Sequence, residues 1–136
     1  MNERLIATLE SLMSNPALAA QLYEHLFNAS FWTIAWRSGA DARGYVGCQK
    51  ADGTWEIPVF TQPNRSLLRR LTADIPAAEC VGVDGQTMWR QLLEEYMNDS
   101  KTQVAVDPGE EHGVLLTRVM ILGMVNKYGN ADGRTA

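Results

Sequence analysis

A chain of 136 residues with 46% hydrophobic content has the size of one domain around one core. Its formal net charge of -4 and pI near 5.1 repel phosphate backbones at long range, which argues against nucleic acid and anionic membrane as partners. The opening residues, Met1 to Ile6, carry an acid early and no apolar run, and the longest apolar stretch, Val114 to Val125, is broken by Thr117, Arg118 and Gly123. Neither a secretory signal nor a membrane span is therefore predicted, and a cytoplasmic protein is the expectation. Cys48 and Cys80 stand far apart and outside any CxxC spacing, which predicts two reduced, partly buried thiols and no zinc motif.

In chain order, a helix runs from Asn2 or Glu3 to about Met13, with Leu5, Leu9, Leu12 and Met13 at helical spacing. A second helix is capped by Asn15 and opened by Pro16. It carries Leu18, Leu22, Leu26, Tyr23 and Phe27 on one stripe and Gln21, Glu24, His25 and Asn28 on the wet face. Phe31 to Trp36 is aromatic and β-branched, the composition of a strand. After a polar turn from Arg37 to Gly44, two further strands, 45–49 and 55–61, flank Lys50-Ala51-Asp52-Gly53-Thr54, a hairpin with Asp-Gly in its turn. These three strands read as an antiparallel meander. Pro58 lacks an N–H, so its strand lies at an edge, carries a bulge, or leaves that side unpaired.

From Thr61 the hydrophobic period changes from two to three or four. Leu67, Leu68 and Leu71 line a short helix whose other face carries Arg65, Arg69 and Arg70, and Pro76 closes it. Glu79 to Val83 is a fourth strand. Asp84 starts a helix with Met88, Trp89, Leu92, Leu93, Tyr96 and Met97 on its core face, and Thr102 to Val106 is a fifth strand. Strand, helix, strand, helix, strand implies parallel pairing among the last three strands. The prediction is an α/β (α+β mixed) single domain over residues 1–129, its mixed five-stranded sheet made of the meander followed by βαβαβ and flanked by helices, with 130–136 as a frayed tail.

Ile57-Pro58-Val59-Phe60-Thr61, then Gly85 opening a helix, then Asp107-Pro108-Gly109 with Gly113 and a final Thr-capped helix, resemble the N-terminal domain of the SseB (enhanced serine sensitivity) family. Asn15-Pro16-Ala17-Leu18 with Tyr23 and Leu26 is similar to that family's opening helix, so the likeness runs from Asn15 to Tyr128. Asp107 stands where the family usually has asparagine. The resemblance implies a bacterial α/β domain of regulatory or accessory role, sometimes beside toxin systems, and supplies no catalytic residues.

If the last three strands are parallel, Thr61, Gln62, Asp84 and the 107–113 loop with Asp107, Glu110, Glu111 and His112 share one carboxyl edge, where open α/β sheets bind ligands. The carboxylates disfavour a phosphate there, and no glycine-rich phosphate loop is present. The loop could hold a cation or an acid–base pair, against the reading of a solvated loop in which Asp107 caps a turn and the glycines supply positive φ. His25 and His112 share no ligand spacing, so no metal and no cofactor are predicted. Arg65, Arg69 and Arg70 read as a solvated basic face or as a docking face for an acidic protein. The four tryptophans, Trp32, Trp36, Trp55 and Trp89, read first as core and sheet-face packing, with Trp32 and Trp36 on the same side.

In the final helix, Ile121, Met124, Val125 and Tyr128 form the inner face. Val119, Met120 and Leu122 add apolar surface beside Gly123, to be covered either by the chain's own first helix or by a second subunit. The functional expectation is a non-catalytic protein-interaction or regulatory domain with a protein partner, homodimerisation included. An immunity protein that neutralises a toxin by direct binding is the alternative, and a small-ligand sensor or hydrolase using the 107–113 loop a further one.

Overall fold

The computed structural model describes residues 3–12, 19–36, 45–97 and 101–129. The predicted caps Asn15 and Pro16, the 37–44 turn and the 130–136 tail lie outside them. Helices α1 (Glu3–Leu12) and α2 (Ala19–Asn28) lead into β1 (Ser30–Trp36), β2 (Cys48–Gln49) and β3 (Trp55–Phe60). There follow α3 (Ser66–Asp74), β4 (Ala78–Asp84), α4 (Gly85–Glu95), β5 (Thr102–Val106), β6 (Val114–Leu116) and α5 (Arg118–Tyr128). The fold is the mixed α/β class the sequence predicts. Its sheet has six strands rather than five, in the order β4-β1-β3-β5-β6 with β2 on β3. The additional strand, β6, is only three residues long and directly precedes α5, so its apolar residues merge with those of the helix in the sequence.

β3 and β5 pair in parallel, Trp55↔Thr102 through Val59↔Val106. β4 runs in their direction too, but pairs antiparallel with β1 over its whole length, Ser30↔Asp84 to Trp36↔Ala78. The expected parallel pairing therefore holds for β3 with β5, while β4 is carried past β1 to the far edge.

Pro58 follows the third of its expected alternatives, a side left unpaired. Its strand is central, in register with Ala105, and not at an edge. Its missing N–H acts on the other side: the β1–β3 ladder covers only Trp32↔Phe60 and Thr33↔Val59. The next position would oppose Ile34 to Pro58, which has nothing to donate. The Ile34 carbonyl accepts instead from Val46 N (2.9 Å), Ala35 bridges to Tyr45, and β2 takes up pairing with β3 at Cys48↔Glu56 and Gln49↔Trp55. The simple meander becomes a wedge in which segment 45–49 separates the end of β1 from the start of β3.

One face of the sheet carries the main core, where Ile57, Val59, Val104 and Val106 meet Leu5 and Leu9 of α1, Leu22, Leu26 and Phe27 of α2, Met88, Trp89 and Leu92 of α4, and Ile121 and Met124 of α5. On the other face Leu68 of α3 packs on Ile34, Phe60, Val46 and Ala78. Trp89 is fully buried, edge-on to Phe31 at 5.4 Å, and satisfies its indole N–H on the Leu26 carbonyl (2.8 Å). That bond ties α4 to α2, as does Gly85, whose N–H donates to the Ala29 carbonyl (2.8 Å). A Cβ at position 85 would lie 2.3 Å from that oxygen, so only glycine allows the approach. Asp84 caps α4, accepting from Thr87 N.

Several side chains differ from expectation. His25 is half-buried rather than on the wet face, its Nδ1 3.1 Å from Oγ1 of the buried Thr8, because α1 packs along α2. Cys48 and Cys80 are exposed, not partly buried thiols. Trp89 belongs to the core and Trp32 packs against the α3 cluster, but Trp36 and Trp55 are 42% and 44% exposed.

Candidate functional site

Thr61 follows β3 and Asp107 follows β5, so the parallel pairing of these strands brings the two residues to the same carboxyl edge. Asp107 adopts a left-handed φ of 49°, which aspartate tolerates better than most residues. Its N–H donates to the Val59 carbonyl (2.8 Å), which turns the side chain inward. The turn that follows is closed by Glu110 N on the Asp107 carbonyl and by Gly113 N on the Glu110 carbonyl. A Cβ at Gly113 would stand 2.6 Å from the Asp107 oxygen, so glycine permits the tight return into β6.

The Asp107 side chain is fully buried. Oδ1 accepts from Thr61 N (2.8 Å) and Oδ2 from Thr61 Oγ1 (2.5 Å). Oδ2 also accepts from Arg65 Nη2 (3.1 Å) and lies 2.7 Å from His112 Nε2. A carboxylate only accepts, so His112 Nε2 must carry the proton in this contact. Arg65 Nη2 is then a second donor 3.4 Å away, and the two share Oδ2 between them. Arg65 Nη2 also donates to Thr61 Oγ1 (3.1 Å), and Nη1 lies 3.5 Å from Glu110. The arrangement joins three elements: the end of β3, the residue that opens α3, and the β5–β6 loop. Chemically it is a latch.

This corrects two readings of the sequence. The 107–113 loop is not solvated at its centre, since Asp107 and His112 are both buried. Asp107 reaches across to the neighbouring strand instead of capping its own turn. The basic face of α3 divides as well: Arg65 is consumed internally, whereas Arg69 and Arg70 are exposed. Of the remaining predicted edge residues, Gln62 is half-buried, Glu111 is exposed, and Asp84 caps α4 on the other side of β1. The structure thus gathers Thr61, Arg65, Asp107, Glu110 and His112 and leaves Gln62, Asp84 and Glu111 out. Among the described residues no three of His, Cys, Asp and Glu form a group able to hold a metal ion, and no helix is long and apolar enough to cross a membrane.

α5 is the second candidate region. Thr117 caps it, accepting from Met120 N (3.4 Å), and Arg118 Nε donates to the Met97 carbonyl (2.8 Å), fixing the helix to the end of α4. Ile121 and Met124 are buried as expected, but Val119, Met120 and Leu122 are exposed. The first helix does not cover them, because α1 lies along α2 while α5 packs on α2 and α4.

At the opposite, amino end of β3 and β5 a cavity is lined by Trp36, Tyr45, Gly47, Trp55, Glu95 and Tyr96 among others. Reading the tryptophans as packing residues missed this site. The available signal was Pro58 three residues after Trp55, which interrupts the ladder there. No family model, no curated protein and no solved structure matches the chain.

Proposed function

We propose that the protein is a non-catalytic, SseB-like interaction or regulatory module of the cytoplasm, which associates through the outer face of α5, first of all with a second copy of itself. One observation carries this reading: Val119, Met120 and Leu122 are 75%, 38% and 36% exposed on a helix whose other side is already in the core. Full burial of such a side chain contributes about 1.5–3 kcal/mol, and contiguous apolar surface of this kind marks docking sites. Beside it, among the described residues and apart from the helix's own backbone, nothing stands within 4 Å of where a Cβ of Gly123 would be, so another backbone can come close. Tyr23, Met120, Gly123, Lys127 and Tyr128 border a groove of about 430 Å³ along the same face. A symmetric pairing of two such faces is the simplest closed arrangement.

The non-catalytic part of the proposal draws support from the latch. Asp107 already receives four contacts, from Thr61 N, Thr61 Oγ1, Arg65 and His112, which engages the acid–base pair that a hydrolase or a ligand sensor at this loop would need. The test is the mass in solution. Wild-type protein should scatter light as a dimer, and Met120→Glu should give a monomer with unchanged circular dichroism. A wild-type protein that stays monomeric at high concentration overturns self-association and leaves the face for a different protein, the arrangement a toxin-neutralising immunity protein would use.

A further inference from the structure

We propose that the cavity between the end of β1 and the start of β3 is a binding site for an organic cation of the methylated-ammonium class, held against the rings of Trp55, Tyr45 and Tyr96 beside the carboxylate of Glu95, with Trp36 at its rim. The site is independent of the α5 face and goes beyond the interaction role proposed for it.

Its origin is the wedge in the sheet. Because Pro58 ends the β1–β3 ladder, segment 45–49 enters between the strands, and Trp36 and Trp55, paired with Ala78 on one side and with Gln49 and Thr102 on the other, no longer belong to one shared ladder. The cavity has a volume of about 390 Å³, within the range of roughly 300–1,000 Å³ that small-molecule sites occupy. Two tryptophans exposed to 42% and 44% at its mouth leave a large aromatic area in water, and an indole face is the strongest natural partner for a cation.

The tyrosines are fixed by their oxygens, so that their rings form the wall. Tyr45 Oη donates to Gln91 Oε1 (2.8 Å), and Tyr96 Oη accepts from Tyr45 N (2.9 Å). The rings stand 5.4 Å apart at 66°, a corner rather than a stack. Glu95 gives the corner its sign. Burial, then Tyr96, then the Glu95 charge push the Tyr45 hydroxyl up to about 12, so the carboxylate acts on the ring beside it. Lys50, on the hairpin that leads to Trp55, is paired with Glu56 (2.5 Å). Gly47 keeps the floor open: a Cβ there would lie 3.4 Å from Trp55 Cε3 and 3.6 Å from Ile57 Cγ1, so any longer side chain grows into the cavity. Aromatic faces meeting beside one carboxylate select a bulky, weakly hydrated cation over a neutral group of the same shape.

The free cation and the same group on a protein side chain share this chemistry, and the experiment separates them. Choline, a peptide containing trimethyllysine, and 3,3-dimethylbutanol, the neutral isostere of choline, are titrated into the full chain by calorimetry and tryptophan fluorescence. At least one cationic probe should bind saturably, about tenfold more tightly than the neutral alcohol. Gly47→Leu, which fills the cavity and removes no aromatic ring, should abolish this binding, and Glu95→Gln should weaken it several-fold. Binding of choline alone identifies a small-molecule site, and binding of the peptide alone identifies a reader of a modified side chain. Equal affinity for the neutral isostere, binding that survives in folded Gly47→Leu, or no saturation by either cation into the millimolar range would each overturn the proposal.

Discussion

Asp107→Asn isolates the charge of the latch from its shape. Asparagine accepts the left-handed backbone as readily as aspartate does, so the turn and the bond from Thr61 N can persist while the ion pair with Arg65 and the hydrogen bond from His112 are weakened or lost. Removing one partner of a buried pair costs about 3–5 kcal/mol. Here the Asp107 side chain is 0% exposed but that of Arg65 is 15% exposed and keeps Glu110 at 3.5 Å, which places the loss at the lower end, about 3 kcal/mol. For a domain of this size that is a fall in melting temperature of about 10 °C. Urea unfolding followed by tryptophan fluorescence should show a lower midpoint with an unchanged slope. A double-mutant cycle with Arg65→Met should return a coupling above about 1 kcal/mol. A loss below about 1 kcal/mol for Asp107→Asn would mean that the network is worth no more than a surface ion pair, and the latch reading would fail.

Two glycines should respond in opposite directions. Gly85→Ala drives a methyl group to within 2.3 Å of the Ala29 carbonyl and should destabilise by about 1–3 kcal/mol, whereas Gly123→Ala, made in the Met120→Glu background where no second copy approaches, should stabilise by about 0.5–1 kcal/mol; equal shifts in melting temperature for the two changes would contradict this. Tyr45 gives an alkaline signature. Its hydroxyl is raised from 10.0 to about 12, so the stability it contributes is complete below pH 10 and is lost as pH rises through 12. Discounted for the exposed part of the ring, this amounts to about 1 kcal/mol. The wild-type unfolding free energy should therefore fall more steeply above pH 10 than that of Tyr45→Phe, and parallel curves would refute the assignment.

What was legible in the sequence was local. The repeat of Met88, Trp89 and Leu92 marks α4 because its core face is continuous, and Asp84 and Thr117 announce their helices because each cap is a single side chain bonding three residues ahead. The carboxyl edge was legible too, since the change of period at Thr61 and the Asp-Pro-Gly turn at 107 each end a strand running the same way. Pairing partners were not. Nothing in Glu79 to Val83 says that β4 will pass β1, because an edge strand antiparallel to β1 and an inner parallel strand can share one apolar pattern. The partners of Asp107 were hidden for a related reason: Thr61 and Arg65 are 46 and 42 residues away, and Arg65 reads as one more cation on a basic helix face until its helix is docked.

Open α/β sheets bind ligands at the carboxyl ends of their strands because helix N-termini and loop ends leave unsatisfied groups there. Here β6 folds back along β5, its connecting loop buries His112, and α3 delivers Arg65, so that, Arg65 Nε apart, the side chains of the latch direct their donors and acceptors at one another. The amino end of β3 is the reverse case. Pro58 withdraws one donor from the ladder, β1 and β3 separate, and aromatic surface is left in water where a sheet would ordinarily close it. The same residue sits three positions from Thr61 and three from Trp55. With β3 held on both sides at one end and wedged apart at the other, the end of the sheet with groups left to offer a ligand is the one the general rule would pass over.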